Sequence, residues 1–402
     1  SLYDFANSLI SANLTLYLSQ WVIVENNFED IWYSSTLTIA TILLIFTAPI
    51  LGIYSDKTQK KMFFIKPLTI LVVLITIILS LIGASSLAQL AKVITVLVLF
   101  VIAQYFYQLS LIFYDTLLPT LTTPKNYGKI SGIGEGMGTL GFLVGIFFTY
   151  PFVNGKITLF GTPGRIQALI PSALAFLLLA LPMLISFKDK RTKFKGNFFA
   201  NYRQTFRDLK DILKNKDIFL FLLAFHFISD AVLTIQIFAP IYFQEVLGVG
   251  DLLKIIGISL VLVFVVVGAI LFGRLSDKAG YKKTLMVACI LLAVSLSIIP
   301  LISKLSLMWF ALPFVGLFWG GFYAISRAYL TRLAPKENLG KFFSLFTIFR
   351  RFSSVVGPMV WRLSVLLFSS QGNLKYRLSI YPLVALMIVG IFILKRVSEV
   401  KR

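Results

Sequence analysis

Apolar runs of about 20 residues recur along nearly all of this 402-residue chain, and no other feature restricts its fold as much. A helix needs about that length to cross the hydrocarbon core of a bilayer. In lipid the backbone must satisfy its own N–H and C=O groups, so runs of this kind are helices. A β-barrel would show segments of roughly ten residues that alternate polar and apolar, and that alternation is not present. Composition agrees, with 58% hydrophobic residues and a mean hydropathy of +0.87. The chain opens on Ser1 and is apolar at once. No basic segment with a small-residue cleavage site precedes the first run, so no secretory signal peptide is read and a trimmed native N-terminus is expected.

Twelve spans are read, at 2–24, 33–54, 63–84, 93–117, 129–153, 167–187, 218–243, 253–273, 284–303, 306–331, 342–368 and 378–394. The formal net charge is +21. In a soluble protein that excess would point to nucleic acid. Here the even-numbered connections carry +16 of it and the odd-numbered ones +2, so membrane topology explains it and no nucleic-acid partner is expected. Positive loops stay in the cytoplasm, which places both termini inside. The longest connection, 188–217, holds +6 and divides six spans from six. The expected organisation is an all-α membrane protein of twelve transmembrane helices. It divides into a six-helix bundle over 1–187, a cytoplasmic linker over 188–217 and a second six-helix bundle over 218–402. Phe199, Tyr202, Phe206, Leu209 and Leu213 recur at helical spacing in the linker, beside a basic stripe of Arg203, Arg207, Lys210 and Lys214. That pattern predicts an amphipathic helix lying on an anionic inner leaflet.

The two halves repeat one another. Gly52-Ile-Tyr-Ser-Asp56-Lys57-Thr-Gln-Lys60-Lys61 follows the second span. Gly273-Arg-Leu-Ser-Asp277-Lys278-Ala-Gly280-Tyr-Lys282-Lys283 follows the eighth. Leu117-Leu118-Pro119 and Gly128-Lys129 likewise resemble Leu333-Ala334-Pro335 and Gly340-Lys341. Both copies of the Gly-Asp loop lie on the same side, so the repeat is parallel, about an axis along the membrane normal.

The duplicated Gly-x-x-x-Asp-Lys loops resemble the signature loop of the major facilitator superfamily, with Gln59 standing where a Gly is usual. Four further stretches resemble its vacuole-effluxer-like, autophagy-related branch. They are Tyr3-Asp4-Phe5-Ala6-Asn7-Ser8; Phe113-Tyr114-Asp115 to Pro119, with Ser131-Gly132-x-Gly134; Gly320-Gly321 through Ser326-Arg327 to Arg332 and Pro335; and Phe342-Phe343 with Val356-Gly357-Pro358. Asp115 replaces a usual Asn. The resemblance implies the two-bundle fold of a secondary transporter. Its fungal vacuolar members are linked to amino-acid efflux. It also implies a gating role for Gly52, Asp56, Lys57, Gly273, Asp277, Lys278 and Gly280. The glycines would allow close helix approach and the aspartates would stabilise the outward-facing state.

Charges within a span are costly and are functional candidates by default. Glu135 and Arg350 lie roughly 10 and 12 Å into their spans, and His226 and Asp230 roughly 12 and 18 Å into theirs, at about 1.5 Å per residue. Glu135 is read as a proton carrier or an anchor for an ammonium group. His226 and Asp230, at i and i+4, would share a face and relay protons. Arg327 and Arg350 offer planar forks for a carboxylate. Asn7, Gln104 and Gln108 are candidates to line a polar cavity. Gly134, Gly138, Gly141 and Gly145 form a stripe suited to close helix contact.

The single Cys289 and single His226 supply no internal disulfide and no metal-ligand set, so neither metal nor cofactor is expected. No phosphate-binding loop and no nucleophile–base set is visible, which argues against a pump or an enzyme. The reading is a secondary active, proton-coupled exporter of a small polar metabolite such as an amino acid, multi-pass in the plasma (inner) membrane. Its expected partners are that substrate, protons and the lipid bilayer. Two alternatives remain open: a sugar or drug exporter on the same fold, and a lipid-handling or non-transporting membrane protein.

Overall fold

In the computed structural model, residues 2–28, 30–58, 60–118, 122–187, 189, 215–335, 339–352 and 356–398 are described. The linker helix expected within 188–217 therefore lies outside the described residues, as do Gln59 and Pro119. The described chain is helical, with no strand.

The helices are α1 (Leu2–Gln20), α2 (Asp30–Thr58), α3 (Lys61–Gly83), α4 (Gln89–Asp115), α5 (Tyr127–Val153), α6 (Leu169–Ser186) and α7 (Lys216–Leu247). There follow α8 (Asp251–Ala279), α9 (Tyr281–Ile298), α10 (Leu305–Leu333), α11 (Leu339–Phe352), α12 (Val356–Leu367), the short α13 (Leu374–Leu378) and α14 (Ile380–Lys395). Among the described residues, nine helices are long and apolar enough to cross a membrane, and α2 and α12 carry shorter apolar segments. With α1, which continues as a π-helical turn over Trp21–Glu25, they supply the twelve expected spans. The eleventh is covered by α11 and α12.

Local chemistry sets the ends. The Asn215 side chain accepts the Ile218 amide and starts α7, while Gly248 stops it in the left-handed region at φ 62°. Gly280, at φ 99°, turns the chain from α8 into α9. Pro67, Pro151, Pro182, Pro240 and Pro313 lie inside helices. Neighbouring helices re-satisfy freed backbone groups, so proline is tolerated in membrane spans.

The chain forms two compact units. The first comprises 1–117, 137–202 and 337–344 and the second 118–136, 203–336 and 345–402, so a boundary falls inside α5. In the first unit α3 packs on α4 and α6, α2 on α4, and α1 on α6. In the second, α8 packs along α10, α7 against α14, and α9 against α10 and α14. Of the glycine stripe expected on α5, three members face α1, and a separate glycine series nearer the start of α5 faces α8. Gly138, Gly141 and Gly145 meet Ser8, Phe5 and Leu9 of α1, whereas Gly128, Gly132 and Gly136 meet Gly273, Ala269 and Val266 of α8.

The tightest approach is at Gly268 of α8, where a Cβ would fall 1.8 Å from the Leu317 carbonyl oxygen of α10. Backbone cannot swing aside as a side chain can. Gly268→Ala is expected to destabilise the protein by about 1–3 kcal/mol, read as a fall in the unfolding midpoint in detergent. Gly250→Ala, where nothing lies within 4 Å of the added carbon, is expected to leave the midpoint unchanged.

Candidate functional site

Polar groups inside the spans collect in two places, one in each unit. In the first unit they are mostly amides and hydroxyls, with the Asp4 carboxylate of α1 accepting the Tyr114 hydroxyl of α4 at 2.6 Å. Asn7 of α1 donates from Nδ2 to the Tyr3 carbonyl at 2.8 Å, and its own carbonyl accepts the Tyr107 hydroxyl of α4 at 3.1 Å. The Tyr3 hydroxyl is 2.8 Å from Thr69 Oγ1. Gln104 and Gln108 stand one turn apart on α4 and are both buried. Among the described residues, neither end of the Gln108 amide, nor Asn7 Oδ1, has a hydrogen-bond partner. Buried amides in that condition are poised to bind a ligand with its own donors and acceptors.

In the second unit the group is charged and centres on Tyr323 of α10. The Arg350 guanidinium of α11 lies 5.1 Å from the centroid of the Tyr323 ring, within cation–π range. Ser229 of α7 holds the Tyr323 hydroxyl at 3.2 Å. Glu135 of α5 and Arg350 both act electrostatically on that hydroxyl. Arg327 is half-buried four residues further along α10, on the same side of the helix and next to the buried Ser326.

The relay expected between His226 and Asp230 is not formed. His226 Nδ1 lies 3.4 Å from the Phe349 carbonyl, and neither oxygen of the Asp230 carboxylate accepts a hydrogen bond. Asp230 is fully buried against Gly357 of α12, and Thr234 Oγ1 donates to its backbone carbonyl at 2.7 Å. Spacing alone put the two side chains on one face; tertiary packing gave each a different neighbour.

The second signature loop has a defined geometry. Gly273 and Gly128 approach so closely that a Cβ on either would fall 2.3–2.4 Å from the other's carbonyl oxygen. This brings Asp277 under the start of α5, where its two oxygens accept the amides of Gly128 at 2.8 Å and Lys129 at 2.7 Å. Those amides have no acceptor within the helix, and the helix dipole favours an anion there. The Tyr281 hydroxyl donates to the same carboxylate at 2.6 Å. Lys278 is exposed. In the first copy Gly52 is buried, while the side chains of Asp56 and Lys57 lie outside the described residues.

Several residues were not singled out from sequence. Tyr323 and Ser229 join the charged group, and the only hint was that Tyr323 precedes Arg327 by one turn. Asp189, counted as a linker charge, accepts the amides of Met62 and Phe63 at the start of α3. The lysines closing both signature loops bind helix C-termini: Lys61 Nζ donates to the Thr116 carbonyl and Lys282 Nζ to the Lys395 carbonyl. Cations are favoured at that end of a helix.

The apolar helices and the duplicated loop motif set the chain beside known proteins. The profile of the Major Facilitator Superfamily matches residues 2–358. The chain belongs to the major facilitator superfamily. This superfamily member is 26% identical over 427 residues to the protein named "Uncharacterized MFS-type transporter YxiO" of Bacillus subtilis (strain 168), covering 99% of this chain and 94% of that protein. It is 31% identical over 175 residues to Autophagy-related protein 22 of Pichia angusta, covering 40% of this chain and 30% of that one. Among solved structures, a bacterial homologue of the iron transporter ferroportin in an outward-facing state superposes with a TM-score of 0.76. The identity is 13%, over 98% of this chain and 97% of that one. The proton:xylose symporter XylE superposes at 0.73 with 15% identity, over 100% and 94%. At such identities these structures establish the fold.

Asp277→Ala removes the acceptor of two α5 amides and is expected to cost about 1–2 kcal/mol of stability. Asp277→Asn keeps one acceptor oxygen and should lose less. Thermal unfolding of both variants in detergent checks the order, and equal midpoints for Asp277→Ala and wild type would refute it.

Proposed function

We propose that this chain is a proton-coupled exporter of small zwitterionic metabolites, with amino acids the first class to test. At the coarser level it is a major facilitator transporter and an integral, multi-pass membrane protein. The observation that carries the finer reading is the meeting of opposite charges at one hydroxyl. Glu135 and Arg350 both act on Tyr323 within one unit. A carboxylate and a guanidinium within electrostatic reach of one hydroxyl suit the ammonium and carboxylate of a zwitterion. Asp230 is the proposed proton carrier, because a carboxylate buried in a span without hydrogen bonds needs a proton or another cation to be tolerated. Arg327 and His226 are proposed as supporting charges. Asp56 and Asp277, with their glycines and lysines, are proposed as the conformational latch.

Export rests on the effluxer-like motifs, and the full-length bacterial relative supports a cell membrane rather than a vacuole. One observation favours a second reading. Asn7, Gln104 and Gln108 of the first unit are neutral buried amides, which suit a polyhydroxyl substrate such as a sugar.

Counterflow of a labelled amino-acid mixture in proteoliposomes, with and without an inside-acid gradient, tests the proposal. The wild type should respond to the gradient, and Glu135→Gln and Asp230→Asn should not. Gradient-independent counterflow in all three would leave a facilitator. No counterflow from folded protein would remove amino acids and bring sugars forward. Orientation has its own check. A cysteine at Lys156, in the exposed turn after α5, should react with an impermeant maleimide on intact cells. One at Lys278 should react only after permeabilisation.

A further inference from the structure

Among the described aspartates that meet other helices, Asp230 is treated unlike Asp189 and Asp277. Asp189 and Asp277 each accept two backbone amides, at 2.7–2.8 Å. Both therefore carry charge with donors in place. Asp230 is 0% exposed and accepts none.

What covers it is Gly357. A Cβ on Gly357 would fall 2.0 Å from Thr234 Oγ1, 2.9 Å from the Asp230 carbonyl oxygen and 3.0 Å from Asp230 Oδ1. Three oxygens of one α7 turn thus crowd a single Cα of α12, and the absence of a side chain is what lets the two helices close over the carboxyl.

Among the described residues no charged side chain pairs with Asp230, and the Gly357 amide is the backbone group that faces its carboxyl. His226, one turn earlier on α7, turns to the Phe349 carbonyl. From α10 comes Tyr323, whose hydroxyl is held by Ser229 and whose ring carries Arg350 of α11. Helix α14 meets α7 through Gly390, set against Ala224, Phe227 and Ile228. Arg377 of α13 binds the carbonyls of Pro300 and Ile302, and Lys254 of α8 binds Gln244. Arg362 of α12 is exposed.

We propose that Gly357 is a positioning residue that seals the Asp230 carboxyl from water, so that the proton exchanges only when α12 withdraws from α7. A dry carboxyl without a countercharge holds its proton. An ionised one needs water, and water needs the space that Gly357 closes. The seal ties proton release to helix movement and prevents protons from leaking across when no substrate moves. This inference rests on the reading of Asp230 as proton carrier and adds the residue that makes the coupling tight.

The test is proton influx into liposomes loaded with a pH-sensitive dye, holding the full chain and no substrate. Gly357→Ala forces α12 outward and should raise the leak roughly tenfold, the order of population change that one overpacked methyl produces. Adding Asp230→Asn to Gly357→Ala should return the leak to the wild-type level. Adding Thr234→Ala, which removes the tightest contact, should return it in part. A leak that survives Asp230→Asn, or a folded Gly357→Ala protein that does not leak, would overturn the seal.

If Gly357→Ala does not fold, the wild type still decides. On transfer to D2O the infrared band of its protonated Asp230 carboxyl, identified by loss in Asp230→Asn, should shift slowly. An immediate shift, or no such band, would overturn the proposal. Failure of proton coupling itself shows elsewhere, as wild-type counterflow that ignores the gradient whether or not Gly357→Ala leaks.

Discussion

Inside a bilayer no water is available to a backbone amide or carbonyl, and every element of this protein answers to that constraint. Helices satisfy their own interiors and leave four donors and four acceptors open at each pair of ends. Several described charged side chains go to those ends. Asp189 and Asp277 take amides at the starts of α3 and α5, while Lys61 and Lys282 bind carbonyls at the ends of α4 and α14. Arg377 does the same for the carbonyls after α9. The second signature loop holds such residues at both ends of the motif, Asp277 for an N-terminus and Lys282 for a C-terminus, and so fastens helices to one another as well as connecting them.

Apolar side chains gain little from leaving lipid for protein, so helix association depends on close packing. Glycine supplies that closeness along α5 and α8. One run of α5 glycines meets α1 and another meets α8, and the boundary between the compact units falls between the two runs. A single helix thus has two different close-packed faces, each belonging to a different unit. At Gly357 the same device acts on chemistry as well as packing, because what lies beneath it is a carboxyl group.

The polar interior is divided by type. Among the described residues the buried amides Asn7, Gln104 and Gln108 lie in the first unit, and Asp230, His226 and the Arg350–Tyr323 pair in the second. Neutral groups select by hydrogen-bond pattern and tolerate burial if they find partners. Charged groups supply strong attraction, and they can be buried only with a countercharge or a proton. Such a division fits a carrier that must hold a polar solute and an ion without binding either irreversibly.

The helical class, the twelve spans, the duplicated loops and the individual charges inside spans were all legible in the sequence. Each depends on length, composition or spacing along one chain, and the physics of lipid leaves few alternatives to them. Asp230 was recognisable as costly for the same reason. Its neighbours were not. Spacing at i and i+4 offered His226, and the structure gave it Gly357, because what touches a side chain is decided by which helix packs there. Tyr323 as the meeting point of Glu135 and Arg350 was hidden in the same way, since three helices far apart in sequence must converge before those groups share a neighbour. Sequence by itself determined that this chain crosses a membrane twelve times as two related halves; only tertiary packing decided which of its costly groups meet, because burial and pairing are properties of helices brought together and not of any one of them.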